Sequence, residues 1–227
     1  MTSDLVRLQP APDLVDRVYR ALHDAIGDGS LAPGARLGQE DIAARLAVSR
    51  QPVLQALRLL KKDGLALDAP GRGLLVAPLE AARVAQVYEV RGALDALAAR
   101  LAAGRRAQID PQLVAEGRRA ARGHDIQAMV EADMAFHNAV YAASGNPLIA
   151  ASAHLHWVHL RRVMGAVLQH ARQRETIWDE HQAIAQAIRE GDGEAATRLI
   201  DDHGRRASEN LLARLPHVLT PALKGSP

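Results

Sequence analysis

The sequence predicts a mainly α protein in two parts: an N-terminal winged helix-turn-helix, followed by an all-α antiparallel bundle of about six helices. Apolar residues recur at helical spacing over most of the 227-residue chain, where the strong helix formers Ala, Leu, Arg, Glu and Gln dominate. A single segment, between Gly64 and Pro78, instead reads as two short strands around a turn rich in Gly and Pro. Short breaks at Gly104, Gly123, Gly145-Asn146-Pro147 and Gly191-Asp192-Gly193 divide the rest into helices whose connections permit only antiparallel neighbours.

Taken in order, Leu14, Val18, Leu22 and Ile26 form one apolar stripe that ends at Gly27-Asp28-Gly29, and Leu31-Ala32-Pro33-Gly34 makes a turn. A short helix over 39–46 is expected to bury Ile42 and Leu46. After the connector Ala47-Val48, Ser49 stands where an N-cap opens the next helix, and Pro52 is tolerated in its first turn. That helix runs to about Asp63 with Val53, Ala56, Leu57 and Leu60 inward. The strands Leu65-Ala66-Leu67-Asp68 and Leu74-Leu75-Val76-Ala77 then make the wing, and Pro78 closes it. Beyond it, helices are expected over 80–103, 110–122, 124–143, 147–170, 172–190 and 193–214. The domains are therefore 1–78 and 79–227.

Composition narrows the chemistry. The chain has no Cys, which excludes disulfides, thiolate zinc sites, iron–sulfur clusters and thiol nucleophiles, so any metal site must use His, Asp and Glu. Residues 1–16 lack a basic segment followed by an apolar core, and no stretch approaches the roughly 18 apolar residues a bilayer span needs. The longest run without Asp, Glu, Lys or Arg, 134–160, is broken by Gly145-Asn146-Pro147 and carries four histidines. A soluble, cytoplasmic protein with no membrane partner is expected. Lys and Arg total 28 against 26 Asp and Glu, but the excess is local: 43–77 holds Arg45, Arg50, Arg58, Lys61, Lys62 and Arg72 against Asp63 and Asp68. Such a patch is an electrostatic footprint for a polyanion or a solvated helix face.

In a helix-turn-helix the second helix enters the major groove with its N-terminal side chains on base edges. Arg50 then offers a fork to guanine, Gln51 suits adenine, and Ser49 with the first backbone N–H groups suits a phosphate. Arg72, between Gly71 and Gly73, projects from a turn lean enough to lie on the DNA backbone. The alternative leaves Ser49 a cap and both arginines solvated. Pro33-Gly34-Ala35-Arg36-Leu37, the run from Glu40 through Arg45 and Ser49-Arg50-Gln51-Pro52-Val53, Ala56-Leu57, Leu60, Asp63-Gly64-Leu65 and Gly71-Arg72-Gly73 together resemble the DNA-binding domain of the GntR family of bacterial transcription regulators. The resemblance covers about 12–78 and implies that Arg45, Ser49, Arg50, Gln51, Arg72 and Gly73 meet double-stranded operator DNA. One departure stands out: where the family has Arg-Glu-Ala-Leu, this chain has Leu54-Gln55-Ala56-Leu57, so one recognition-helix arginine is missing.

The helical part carries a second constellation. Asp133 and His137 are four apart, hence neighbours on one helix face. His181 lies ten residues before Gly191 and His203 ten after Gly193, so a hairpin of the last two helices brings both to one level, about 15 Å from the turn. One carboxylate and three imidazoles suit zinc, nickel, manganese or iron with room for an oxygen donor, although an Asp–His pair at this spacing also serves as a surface or capping pair. Tyr88-Glu89-Val90-Arg91 with Leu94-Asp95, Ala132 through His137, Ser144 through Leu148, Glu180-His181-Gln182-Ala183-Ile184, Gly191-Asp192 and His203 resemble the FCD ligand-binding domain of the FadR-type branch, over about 80–215. That resemblance implies a divalent metal on Asp133, His137, His181 and His203, zinc first among the candidates, beside a small carboxylate effector. Arg91 would pair with the effector carboxylate through its guanidinium fork, or else form an ion pair with Glu89 or Asp95. Asn146 is the second effector candidate, with a plain turn role before Pro147 as its alternative.

His154, His156 and His159 share no single face and are expected in core or surface roles, with one of them a candidate for lining the pocket; Arg161, Arg162, Arg172 and Arg174 are expected on a solvated face. The chain reads as a ligand-responsive regulator, a repressor acting as a homodimer on a roughly palindromic operator, with no catalytic residues. A metal-dependent enzyme acting on a small organic acid and a regulator with a purely structural metal are the rival readings.

Overall fold

The computed structural model describes residues 14–123, 125–168 and 176–219. Residues 1–13, on which the reading of the N-terminus mainly rests, lie outside them, as do Arg172, Arg174 and the expected helix limits at 124, 170 and 172. The described residues form nine helices and three short strands in two compact units, 14–26 with 31–77, and 27–30 with 78–219.

The first unit contains α1 (Leu14–Gly27), α2 (Gln39–Arg45) and α3 (Arg50–Lys62) together with a small sheet. Val18, Leu22 and Ile26 of α1 are buried, as the four-residue spacing requires, together with Ile42 of α2 and Val53, Ala56, Leu57 and Leu60 of α3. Two expectations are corrected. Leu46 is 36% exposed, because α2 ends at Arg45 and the chain turns away before residue 46 can reach the core; Ala43 is buried instead. The wing has three strands, since β1 (Arg36–Leu37) pairs antiparallel with β3 (Leu74–Val76), which also pairs with β2 (Ala66–Asp68). Two residues are too few for alternation to show in a sequence.

The turn between α2 and α3 has an unusual corner. Val48 N donates to Ala43 O at 3.0 Å and Ala47 N to Ala44 O at 3.3 Å, the paired bonds of a Schellman cap, with Ala47 at φ 52° where glycine is the favoured residue. Ser49 occupies the N-cap position of α3, but its side chain makes no capping hydrogen bond.

The second unit contains α4 (Ala81–Gly104), α5 (Pro111–Gly123), α6 (Ile126–Ala143), α7 (Pro147–Leu168), α8 (Thr176–Glu190) and α9 (Gly193–Leu219). α4 lies at its centre, packed against α6, α7, α8 and most extensively α9. Ala98, Ala99, Ala102 and Ala103 are fully buried on it, and side chains this small let neighbouring helices approach closely from more than one side. Phe136, Tyr141, Trp157, Trp178, Ile184, Ile188, Ile200 and Leu215 fill the core around it. α9 runs past the expected end at 214 and through Pro216, because Leu215 still packs inward.

Local chemistry sets the helix starts. Asp125 Oδ1 accepts from Ala128 N at α6, Asn146 Oδ1 from Leu148 N at α7 and Asp192 Oδ1 from Ala195 N at α9. Gly191, at φ 80°, makes the reversal between α8 and α9, the hairpin that brings His181 and His203 to one level.

Candidate metal centre and nucleic-acid interface

Arg50, Gln51, Gln55 and Arg58 are exposed on α3, and Leu54, the residue in place of arginine, is half-buried. Arg45 and Ser49 are also exposed, as are Arg72 and Gly73 at the wing tip. Two partners that sequence spacing did not reveal hold this surface in shape. Glu40 Oε1 lies 2.8 Å from Arg50 Nη1, an ion pair that joins α2 to the first turn of the recognition helix. Arg36 donates from Nη1 to Arg72 O at 3.1 Å and from Nη2 to Pro70 O at 3.3 Å, so its fork grips both sides of the wing turn. Neither contact follows a helical or strand period, and each joins elements that meet only in the fold.

α6 carries Asp133 and His137 one turn apart, α8 carries His181 and α9 carries His203. The structure brings all four together: one ligand-type atom from each lies within 4.8 Å of every other, and all four residues are buried. His181 Nε2 is 3.4 Å and His137 Nε2 4.0 Å from Asp133 Oδ1. Both ring nitrogens of His137 and both of His181 are buried without a hydrogen-bond partner. A buried imidazole with nothing bound to either nitrogen is costly, and a divalent ion among these four side chains would take the lone-pair nitrogen of each ring as a ligand.

Protonation states agree with that fit. Burial, reinforced by the Arg91 charge, pushes the His137 imidazole below its ordinary value. Burial pushes His181 well below it, helped by His203, His137 and Arg91. Both rings are held neutral, the form that ligates.

Behind the cluster sits a second carboxylate. Asp95 on α4 is 3% exposed, accepts a short hydrogen bond from Tyr141 OH, and has Oδ2 at 3.3 Å from Arg91 Nε and 3.6 Å from His137 Nδ1. Burial alone would raise its pKa, yet Arg91 and then His137 hold it down at about 2, so it remains charged. The ion-pair alternative for Arg91 is thus realised with Asp95 rather than Glu89. Arg91 also stacks over the Trp157 ring at 4.2 Å, while its Nε and Nη2 make no hydrogen bond.

Asp133 and His203 line a cavity of about 270 Å³ that Arg91, Glu180 and Arg206 also line, with Met164, Val167 and Ile177 supplying an apolar wall. Larger grooves between α5 and α8 and between α4 and α9 include none of the four clustered residues, so chemistry rather than size singles out this cavity. Asn146 does not line the cavity, and its side-chain oxygen caps α7, the turn role given as its alternative. Arg162 is corrected; at 7% exposure it faces inward with Val158 one turn earlier, while Arg161 is half-buried. His154 is exposed, His156 half-buried and His159 buried, and none of them lines the cavity. Glu180 was not singled out from the sequence. Its Oε2 is 2.9 Å from His203 Nδ1 and its Oε1 3.2 Å from Arg206 Nε. The hairpin spacing that aligns His181 with His203 also aligns its neighbour Glu180, and was the available signal.

Among the described residues, no helix is long and apolar enough to cross a membrane. Residues 14–76 match the family model of bacterial regulatory proteins, gntR family, and residues 86–206 match that of the FCD domain. An uncharacterized HTH-type transcriptional regulator from an unstable DNA locus of Streptomyces ambofaciens is 30% identical over 199 residues, covering 86% of this chain and 83% of its own. The HTH-type transcriptional repressor RspR of Escherichia coli K12 is 26% identical over 209 residues, 90% of this chain and 92% of that one. Among solved structures, a GntR transcriptional regulator from Rhodococcus sp. RHA1 matches with a TM-score of 0.74 at 28% identity, over 89% of this chain and 99% of its own. Escherichia coli McbR/YncC matches at 0.76 with 20% identity and shows a common fold.

Proposed function

The chain belongs to the GntR family of bacterial regulatory proteins, in the branch with an FCD domain, and on that premise we propose that it is a repressor whose operator affinity is set by a small carboxylate bound beside a divalent metal. It is a transcriptional regulator and not an enzyme, as its relatives are. In this reading 1–78 reads DNA and 79–227 senses the effector. Arg45, Ser49, Arg50, Gln51, Arg72 and Gly73 meet a double-stranded operator, and two copies of the chain present their recognition helices one helical turn apart.

Asp133, His137, His181 and His203 are the residues that would hold the metal, zinc first, which when bound supplies a Lewis-acidic position for an effector oxygen. Arg91, a cavity-wall residue held by Asp95 on one side and Trp157 on the other, would offer its guanidinium to the effector carboxylate. The apolar wall takes the effector's body and excludes water. Effector binding favours an arrangement of the DNA-binding heads with lower operator affinity.

The observation that carries this reading is the placement of two members of the four-residue cluster, Asp133 and His203, on the wall of a cavity shared with Arg91. A purely structural metal would give no reason for that opening. The test is calorimetric titration of metal-loaded protein with a panel of small carboxylates, followed by binding to a duplex that the protein itself selects from random sequence. Metal-dependent carboxylate binding that weakens DNA binding supports the proposal. Carboxylate binding with unchanged DNA affinity, or none despite bound metal, overturns it.

A further inference from the structure

The three histidines of the cluster are not held alike. His137 Nδ1 is 3.6 Å from Asp95 Oδ2, beyond hydrogen-bond reach, and neither nitrogen of His181 has a hydrogen-bond partner. His203 alone has its outer nitrogen in a hydrogen bond, at 2.9 Å to Glu180 Oε2. Nδ1–H donates to the carboxylate, which fixes the ring orientation and leaves Nε2 as the lone-pair nitrogen for the cluster.

Glu180 divides its charge. Its other oxygen, Oε1, lies 3.2 Å from Arg206 Nε, and both partners stand on α9 three residues apart. The carboxylate is 26% exposed whereas His203 is 3% exposed, and Glu180, His203 and Arg206 all line the 270 Å³ cavity. A single side chain therefore touches a buried ring of the cluster and a cation that a ligand in the cavity can reach.

We propose that Glu180 is a positioning residue that sets His203 as a metal ligand and, through Arg206, links the strength of that ligand to what occupies the cavity. The proposal rests on the metal reading given above. Arg206 draws negative charge from Glu180, so the carboxylate polarises the imidazole less than it would alone. An anion in the cavity that engages Arg206 returns the full charge of Glu180 to His203 and makes it a stronger donor. By linkage the metal then favours the anion to the same extent.

The test is zinc affinity of the full chain without effector, measured by competition with a chromophoric chelator at fixed pH and salt. It compares wild type, Glu180→Gln, Arg206→Ala and the double variant. Gln keeps the shape and an acceptor oxygen and removes only the charge, so equal thermal midpoints of the apo proteins show that folding is intact. Glu180→Gln is expected to weaken zinc binding about 10- to 100-fold. Arg206→Ala is expected to tighten it a few-fold, and the double variant to match Glu180→Gln, because Arg206 acts through Glu180. Zinc affinity unchanged in Glu180→Gln overturns the positioning role, and independent effects of the two substitutions overturn the link. A wild type that binds no zinc overturns the metal reading itself and this inference with it, an outcome distinct from both.

Discussion

The indole of Trp178 fills the space where a side chain at Gly117 would begin, so that even a Cβ at this position would overlap the ring. Trp178 is 1% exposed and also meets the His181 imidazole, with ring centroids 4.7 Å apart. Gly117→Ala must therefore push α5 away from α8 or drive the indole toward a member of the cluster. We expect a loss of about 2–3 kcal/mol in urea unfolding followed by far-ultraviolet circular dichroism. Weaker zinc binding should accompany it, and an unchanged unfolding midpoint would show that the helices separate freely.

The neutral histidines make the apo protein sensitive to acid. His137 and His181 have depressed pKa values when folded, so below the unfolded value of about 6.5 the unfolded chain binds protons that the native state refuses. Stability is thus flat above that point and falls as pH drops below it, by up to about 1.4 kcal/mol per pH unit for each ring. Asp95, held at about 2, adds its own loss only below roughly pH 4. Urea midpoints of the metal-free protein between pH 8 and pH 5 check the sign, and a midpoint that rises on acidification would contradict it.

Ala47 stands in a left-handed conformation at an exposed corner, so Ala47→Gly removes backbone strain without deleting a buried contact. The greater freedom of glycine in the unfolded chain offsets part of the gain. A net stabilisation of about 0.5–1 kcal/mol is expected in thermal or urea unfolding, with DNA binding unaltered.

The Glu40–Arg50 pair orients the arginine expected to read a base and competes with DNA for it. Arg50→Ala should cost about 1–3 kcal/mol on the selected duplex. Glu40→Gln should tighten binding to scrambled DNA while narrowing the gap between selected and scrambled sequence. Fluorescence anisotropy with both duplexes distinguishes this from a pair of no consequence, for which neither affinity moves.

Legibility in the sequence followed the range of the interactions. Helices set by three- and four-residue spacing were readable to within a few residues, from Leu14, Val18, Leu22 and Ile26 in α1 to the Gly191 reversal before α9. Each pair, Asp133 with His137 on one helix turn and His181 with His203 across a hairpin, was readable for the same reason, and the family resemblance implied that the two pairs meet. Contacts that cross between elements left no such trace. Arg36 on the wing carbonyls and Glu40 against Arg50 depend on packing that no local period encodes. Asn146 takes the turn role that local spacing offered, through its bond to Leu148 N, whereas the burial of Arg162 is decided by the helices packed against α7 and left no local signal.

α4 gives the second unit a mechanical property. It is one unbroken helix of 24 residues, and it begins four positions after Ala77, the last residue of the first unit. Arg91 lies ten residues along it, about 15 Å from its start. A helix of this kind is a stiff rod, bending gently rather than compressing. In the proposed reading, a tilt imposed at Arg91 would travel along a single helix to residues 78–80, with no break in the backbone hydrogen-bond ladder between them.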